Sequence, residues 1–174
     1  MAVIGRFQPF HWGHFEYIVE AARQAESLAI GVTNPTREKT RHTTADPARS
    51  RDEANPFSYE QRAMMISTSL ARMAPNLAFT IVPCDLRTPE SLRISLGPCD
   101  IVALTIYDNW GLEKLALAES AGYAVQILWR RVEKITSGTD IRDRWRTSRP
   151  WTHLVPSGTA EVLESIEPSP HCDS

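Results

Sequence analysis

The sequence has few cysteines, no long apolar run and no strong charge of either sign. Its three cysteines, Cys84, Cys99 and Cys172, include no CxxC pair and cannot form a closed set of disulfides. No apolar stretch reaches the roughly 18–20 residues that cross a bilayer, and Met1–Arg6 lacks the features of a signal peptide. With 19 basic and 21 acidic residues, the chain does not resemble a general nucleic-acid binder. These absences predict a cytoplasmic protein that binds neither membrane nor nucleic acid.

Lysine is also scarce, because 16 of the 19 basic residues are arginine and the three lysines are Lys39, Lys114 and Lys134. Two explanations fit this bias. A GC-rich genome favours arginine codons, and the planar guanidinium fork suits the recognition of phosphate groups. The position of each arginine in the fold must decide which of them bind ligands.

Short apolar segments of strand length alternate with segments of helical period. Several apolar segments are rich in β-branched residues, as in strands buried on both faces of a parallel sheet. The alternation predicts one α/β domain, Rossmann-like, at residues 1–166, with a parallel five-stranded sheet flanked by helices, and a flexible tail at residues 167–174. The predicted strands are Ala2–Phe7, Leu28–Thr33, Leu77–Pro83, Asp100–Thr105 and Ala124–Trp129, and the predicted helices are His14–Ala25, Ser58–Met73, Leu112–Ala121, Asp140–Arg146 and Gly158–Ile166.

One stretch, residues 33–54, departs from this alternation. It contains two prolines, few large apolar residues and six basic or imidazole side chains. Long loops in compact domains often act as lids or binding loops, and this one should leave the carboxyl edge of the sheet, where open α/β folds bind ligands. It is interpreted either as a basic active-site insertion or as a disordered surface insertion. The six side chains are Arg37, Lys39, Arg41, His42, Arg49 and Arg51.

The strongest functional signal is the segment from Gly5 to His14, GRFQPFHWGH. A strand ends near Phe7, a proline-containing turn follows, and a helix begins near Gly13. His11 and His14 are three residues apart, so both imidazoles can lie on one side of the N-terminus of this helix. Unpaired backbone N–H groups and the positive end of the helix dipole make that terminus an anion site. Gly13 would allow a phosphate to approach closely.

The string HWGH at positions 11–14 matches the HxGH signature of the HIGH-motif nucleotidylyltransferases. The longer segment from Gly5 to His14 resembles specifically the archaeal-type nicotinamide mononucleotide (NMN) adenylyltransferases. Three further blocks extend the resemblance in the right order, so that it covers most of the chain. Class I aminoacyl-tRNA synthetases share the HxGH element but are far longer than 174 residues. The further blocks are Asn55–Phe57 with Arg62, Ser137–Arg142 and Trp151–Pro156.

The resemblance implies a nucleotidyl transfer in which an anionic acceptor attacks a nucleoside triphosphate and pyrophosphate leaves. Mg²⁺ would bridge the phosphate oxygens and be held mainly by substrate and water, without a protein metal site. Ser137 can cap a helix, and Arg142 projects from the same helix face as Thr139. The implied catalytic residues are His11, His14 and Arg142; the implied nucleotide-binding residues are Gly5, Arg6, Phe7, Gly13, His14, Ser137, Thr139 and Arg142; and the candidates for binding the acceptor are Arg6, Lys39, Arg62, Asp108, Asn109 and Trp110.

Two segments depart from the archaeal enzymes. In those enzymes a Trp and a nearby Asn between the third and fourth strands embrace the nicotinamide, whereas residues 85–97 of this chain contain neither. After the fourth strand, a longer segment at residues 105–111 replaces a Ser-Gly-Asn type loop. The phosphate-binding blocks are therefore kept while the acceptor pocket is rebuilt. A pocket without this Trp should bind nicotinamide poorly, and an inserted loop rich in Arg and His suits a small, highly charged acceptor better.

Such departures are seen in relatives that serve phosphonate natural-product pathways and attach CMP to small phosphonates. The sequence therefore favours transfer of CMP from CTP to the phosphonate or phosphate of a small acceptor such as phosphonoformate. Two alternatives stay open, an adenylyltransferase that makes NAD from ATP and NMN, and a non-catalytic nucleotide-binding regulator. The intact histidines and phosphate-binding motifs favour catalysis over regulation. Homo-oligomerisation also stays open.

Overall fold

The computed structural model describes residues 1–40, 50–131 and 136–166. Its centre is a parallel five-stranded sheet in the order β3-β2-β1-β4-β5. The order reverses between β1 and β4, which is where open α/β sheets bind ligands. The predicted fold class is confirmed, and the strand ends differ from the predicted ones by at most two residues. The strands are β1 (Ala2–Gly5), β2 (Ser27–Thr33), β3 (Ala78–Cys84), β4 (Ile101–Ile106) and β5 (Ala124–Arg130).

Six α-helices of the described chain flank this sheet, and five of them match predicted helices. The sixth, α3, has no predicted counterpart, although Thr88 caps it by accepting a hydrogen bond from the Ser91 backbone, and Leu92 and Leu96 are buried on one face. Within the described residues, none of the helices has the length and apolar character to span a membrane. The helices are α1 (Trp12–Ala22), α2 (Tyr59–Met73), α3 (Pro89–Leu96), α4 (Asn109–Ser120), α5 (Gly138–Arg146) and α6 (Ser157–Glu164).

Apolar side chains fill the space on both faces of the sheet. Helices α1, α2, α5 and α6 cover one face, and α3 and α4 cover the other. Successive residues of β1 point to opposite faces, so that Val3 joins the first core while Ala2 and Ile4 join the second. Both faces of the central strand are therefore buried, as its continuous apolar sequence predicts.

Tyr17 of α1 separates the carboxyl ends of β1 and β4. The two strands pair in register as far as Val3 and Ala103. Beyond this point the Tyr17 hydroxyl accepts a hydrogen bond from the Ile4 backbone N–H at 3.2 Å and donates one to the Ala103 carbonyl. Burial raises the pKa of this hydroxyl, so it keeps the proton that it donates. The hydroxyl thus bridges two backbone groups of neighbouring strands and opens a crevice between them.

Candidate active site

A cavity of about 950 Å³ opens at the carboxyl edge of the sheet, above the crevice between β1 and β4. Its walls come from the segment that joins β1 to α1, the start of α4, the N-terminus of α5 and the residues around the 3-10 turn Asp52–Ala54. Every residue that the sequence implies for catalysis or nucleotide binding lines this cavity. The first motif supplies Gly5, Arg6, Phe7, His11, Gly13 and His14, and the start of α5 supplies Ser137, Thr139 and Arg142.

His11 and His14 stack at the N-terminus of α1, as their spacing predicts. Their ring centroids are 3.7 Å apart, and the ring planes are inclined by 19°. Gly13 leaves room for this arrangement, because a Cβ atom at its position would lie 3.2 Å from Cε1 and 3.3 Å from Nδ1 of His11. A larger residue here would therefore require the His11 imidazole to move by a few tenths of an ångström, a packing role for Gly13 that the sequence does not indicate. Both rings line the cavity, where an imidazole N–H can donate to a phosphate oxygen.

The imidazole of His14 is uncharged at neutral pH. Burial lowers its pKa well below the ordinary value of 6.5, and electrostatic interactions with His11, Arg6 and Lys114 lower it further, against the opposing effect of a hydrogen bond with the Pro9 backbone. A neutral imidazole still donates one N–H. The negative charge of a triphosphate beside the ring would raise the pKa again, since an opposite charge favours the protonated form.

Gln8 joins the first motif to two of the other sequence blocks. Its side-chain amide donates to the Phe57 carbonyl at 2.8 Å, and its amide oxygen accepts from the Phe57 N–H at 3.1 Å. The Gln8 backbone carbonyl accepts a hydrogen bond from Arg142 of α5. The fourth block is attached nearby, because Trp12 donates its indole N–H to the His153 carbonyl at 3.1 Å. The four blocks that carry the resemblance therefore form one hydrogen-bonded unit.

The N-terminus of α5 brings a hydroxyl and a guanidinium into the cavity. Arg142 donates to the Thr139 hydroxyl at 3.1 Å, as their three-residue spacing suggests. Burial lowers the pKa of Arg142 to about 10, with a further contribution from the charge of Arg146, so Arg142 remains charged at neutral pH. Ser137 occupies the N-cap position but makes no side-chain capping bond, so the predicted hydroxyl cap is wrong. A Cβ atom at Gly138 would lie 2.6 Å from a carbonyl oxygen of the first motif, which explains the glycine.

Arg62 does not line the cavity, contrary to its expected contact with the acceptor. It is buried and donates only to backbone carbonyls among the described residues. Its Nε donates to Ser58 at 3.0 Å, Nη1 to Arg6 at 2.8 Å and to Thr33 at 2.7 Å, and Nη2 to Asn34 at 2.9 Å. These bonds join α2 to the ends of β1 and β2. The described hydrogen bonds of the Arg62 guanidinium are thus used to hold the backbone of these segments together.

The remaining acceptor candidates divide between the cavity and its surroundings. Asp108 and Trp110 line the cavity, whereas Lys39 and Asn109 do not. Asp108 is the N-cap of α4 and accepts a hydrogen bond from the Gly111 backbone at 3.1 Å. The segment after β4 is therefore the beginning of a helix, which places Trp110 in the first turn.

The loop at residues 33–54 contacts the cavity through its two ends. Thr33, Arg51, Glu53 and Ala54 line the cavity, and the Arg6 guanidinium donates to the Ala54 carbonyl at 3.1 Å. The predicted location of the loop at the active edge thus holds for these residues. Three of its six basic or imidazole side chains, those of Arg41, His42 and Arg49, lie outside the described residues.

Several charged residues of the cavity are not among the sequence-derived candidates. Helical spacing was the available signal for two of them, since Lys114 follows Trp110 by four residues and Arg146 follows Arg142 by four. Spacing alone does not say which face of a helix meets the cavity. The charged residues concerned are Glu53, Lys114, Asp140, Asp143 and Arg146.

The acidic side chains of α5 that line the cavity are paired with arginines. In residues 1–40, 50–131 and 136–166, no three His, Cys, Asp or Glu side chains lie close enough together to hold a metal. Asp140 pairs with Arg144 at 2.9 Å, and Asp143 pairs with Arg149.

Known proteins resemble this chain in sequence and in fold. A phosphonoformate cytidylyltransferase from Streptomyces viridochromogenes is 36% identical over 162 residues, which cover 92% of this chain and 88% of that protein. A nicotinamide-nucleotide adenylyltransferase from Methanococcus aeolicus is 33% identical over 172 residues, covering 95% of this chain and 88% of that protein. Among solved structures, a bifunctional NMN adenylyltransferase/ADP ribose pyrophosphatase from Francisella tularensis, complexed with AMP and a manganese ion, superimposes with a TM-score of 0.58 at 18% identity.

The Francisella structure supports the fold alone because it is only 18% identical, and the superposition covers 94% of this chain and 48% of that one. The sheet topology, the cavity at its switch point and the relatives together define the class of protein: this chain is a nucleotidyltransferase. More narrowly, it belongs to the cytidylyltransferase-like family, whose sequence model matches residues 2–144.

Proposed function

We propose that this protein transfers CMP from CTP to the phosphonate of a small acceptor such as phosphonoformate and releases pyrophosphate. The observation that carries the proposal is the location of residues 85–97. The resemblance to the archaeal enzymes would place the nicotinamide contacts in this segment, but here most of the segment forms α3, and none of its residues lines the cavity. A compact polyanion does not need such contacts. The similarity to the phosphonoformate cytidylyltransferase supports the same acceptor.

Catalysis of this reaction depends on where the protein places its charged and hydrogen-bonding groups around the phosphates. An ionised phosphonate oxygen attacks the α-phosphorus of CTP, and the bond from that phosphorus to the bridging oxygen of pyrophosphate breaks. Because the nucleophile is already an anion, no general base is required, and catalysis consists of positioning and charge neutralisation. His11 and His14 donate to oxygens of the α-phosphate at the N-terminus of α1. Thr139 and Arg142 hold the leaving pyrophosphate at the N-terminus of α5.

Mg²⁺ is the divalent cation that we propose for this reaction. Phosphate oxygens and water would bind it, since the described acidic residues of α5 are already paired with arginines. The ion would neutralise part of the triphosphate charge. The chain's own contribution is to hold the phosphates with Arg6, Thr139 and Arg142, which line the cavity.

A second candidate function is the synthesis of NAD from ATP and NMN. One observation favours it: Tyr107 and Trp110 line the cavity and present aromatic rings on which a nicotinamide could stack. The adenylyltransferase from Methanococcus aeolicus, at 33% identity, supports the same alternative.

A matrix of four nucleoside triphosphates against phosphonoformate and NMN, scored by pyrophosphate release, separates these functions. We expect the fastest release with CTP and phosphonoformate. His14→Ala should abolish most of this release, whereas Arg23→Ala should retain it, because Arg23 lies exposed near the end of α1. Efficient formation of NAD without any use of phosphonoformate would overturn the proposal in favour of the second function. Nucleotide binding without pyrophosphate release from any pair would indicate a non-catalytic regulator.

A further inference from the structure

The cationic face that helix α5 presents to the cavity extends beyond the Ser137–Arg142 block. Thr139, Arg142 and Arg146 follow one another at spacings of three and four residues, which places them on one helix face, and all three line the cavity. Arg146 lies about 6 Å beyond Arg142 along the helix axis, at 1.5 Å per residue. Its guanidinium therefore extends the phosphate-binding face by one turn.

Arg146 differs from the other arginines at the end of α5. Arg144 of α5 and Arg149, three residues beyond its end, each pair with an aspartate of α5. Arg146 has no carboxylate partner among the described residues, and its Nη2 donates to the backbone carbonyl of Glu53 at 3.0 Å. A neutral carbonyl leaves the positive charge uncompensated.

Arg142 and Arg146 also act on each other as like charges, since Arg146 lowers the pKa of Arg142. Like charges on one helix face are unfavourable until an anion lies between them. A phosphate group in that position would accept charge-assisted hydrogen bonds from both guanidiniums. The geometry of α5 therefore fits a polyphosphate longer than the part that Thr139 and Arg142 contact.

We propose that Arg146 is a second phosphate-binding arginine of α5, which holds the distal phosphate of the nucleoside triphosphate and of the leaving pyrophosphate. On binding, its guanidinium exchanges the Glu53 carbonyl for a phosphate oxygen. This exchange would release one of the bonds on the 3-10 turn Asp52–Ala54, whose Ala54 carbonyl is held by Arg6. The inference rests on the nucleotidyl-transfer part of the proposed function and does not depend on the acceptor.

Calorimetric titration with pyrophosphate in the presence of Mg²⁺ tests this inference without nucleotide or acceptor. We expect Arg146→Ala and Arg146→Gln to weaken pyrophosphate binding about tenfold, the lower end of the effect of losing a charged hydrogen-bond partner, and to leave the affinity for CMP within about twofold. The glutamine variant keeps an amide N–H for the Glu53 carbonyl but removes the charge. It therefore separates phosphate binding from attachment of the turn. Arg23→Ala removes the same charge from the exposed surface and should bind as the wild type does.

The other possible results of this titration would separate phosphate binding by Arg146 from a structural role or a general effect of charge. Unchanged pyrophosphate affinity in Arg146→Gln would show that Arg146 only holds the turn, and would overturn the inference. An equal loss in Arg23→Ala would assign the effect to net charge and overturn it as well. Pyrophosphate binding that depends on Arg146, without turnover of any substrate pair, would support the inference and contradict the proposed function alone. Wild-type protein that binds no pyrophosphate would overturn both.

Discussion

Tyr17→Phe tests how the crevice between β1 and β4 is held open. The substitution removes a single oxygen atom and keeps the ring in the core. That oxygen contacts the Ile4 N–H and the Ala103 carbonyl, and both residues are at most 1% exposed. Water therefore has little access to the two backbone groups once the hydroxyl is gone.

The expected loss of stability follows from these two groups. Each buried backbone group left without a partner costs about 1–3 kcal/mol. Because the strand ends can shift and recover part of this loss, we expect the free energy of unfolding to fall by about 2–4 kcal/mol, out of a total of about 5–15 kcal/mol for a typical domain. Urea titration followed by tryptophan fluorescence measures the change, since the chain contains five tryptophans.

Tyr59→Phe is the matched control. The Tyr59 hydroxyl makes one described bond, to the Ile81 carbonyl at 3.2 Å, from a partly buried position. Its removal should cost no more than about 0.5–1.5 kcal/mol, the ordinary net contribution of one hydrogen bond. A Tyr17→Phe protein as stable as Tyr59→Phe would refute the reasoning, because the strand ends would then not depend on the bridging hydroxyl.

Three further predictions concern the cavity. Replacing His11 or His14 by alanine should lower kcat about 10²–10³-fold with nucleotide binding largely kept, as for loss of a donor to developing charge; near-normal turnover of both variants in a pyrophosphate-release assay would contradict the mechanism. Arg142→Ala should weaken CTP binding by about 1.5–3 kcal/mol, and unchanged affinity in a calorimetric titration would contradict its assignment. The lowered pKa of His14 means that the unfolded chain binds the proton first as the pH falls through 6.5. The free energy of unfolding should therefore decrease below this pH, by at most about 1.4 kcal/mol per pH unit for one proton. Urea titrations at several pH values should show this slope in the difference between wild type and His14→Asn. A difference that does not change with pH would contradict the lowered pKa of His14.

The strands could be predicted because their signal is local. Strands such as β2 and β4 are buried on both faces, so their own sequences are apolar. They can therefore be recognised without knowing which strands lie beside them in the sheet. The HxGH motif is local in the same sense, since the stacking of His11 and His14 needs only a three-residue spacing at a helix start. Helix α3 was missed for a local reason of a different kind. Its signals, the Thr88 cap and the four-residue spacing of Leu92 and Leu96, lie within a segment whose length and composition also fit an irregular loop.

The orientation of Arg62 could not be predicted, because it depends on contacts far apart in sequence. The residue belongs to a block that resembles the family, and an arginine near a phosphate site is reasonably expected to contact phosphate. Its partners, however, are carbonyls at Arg6, Thr33 and Asn34, which come together only when β1 and β2 pair and α2 packs across their ends. The same limit applies to Arg146, whose helix face meets the cavity only in the folded chain.

The structure also suggests how such a site can change its acceptor without losing its phosphate chemistry. The phosphate-binding side is fixed by hydrogen bonds to backbone atoms. The Gln8 side chain bonds to the Phe57 backbone, and the Gln8 carbonyl accepts a hydrogen bond from Arg142. A substitution that breaks one of these bonds leaves a buried group unpaired, at a cost of about 1–3 kcal/mol. The side of the cavity that we expect to bind the acceptor is built differently. Arg51 enters it from the loop that precedes α2, and Trp110 enters it from the first turn of α4. Substitutions of the Arg51 and Trp110 side chains leave the bonds at Gln8 intact, so the acceptor pocket can vary while the stacked histidines and α5 stay in place.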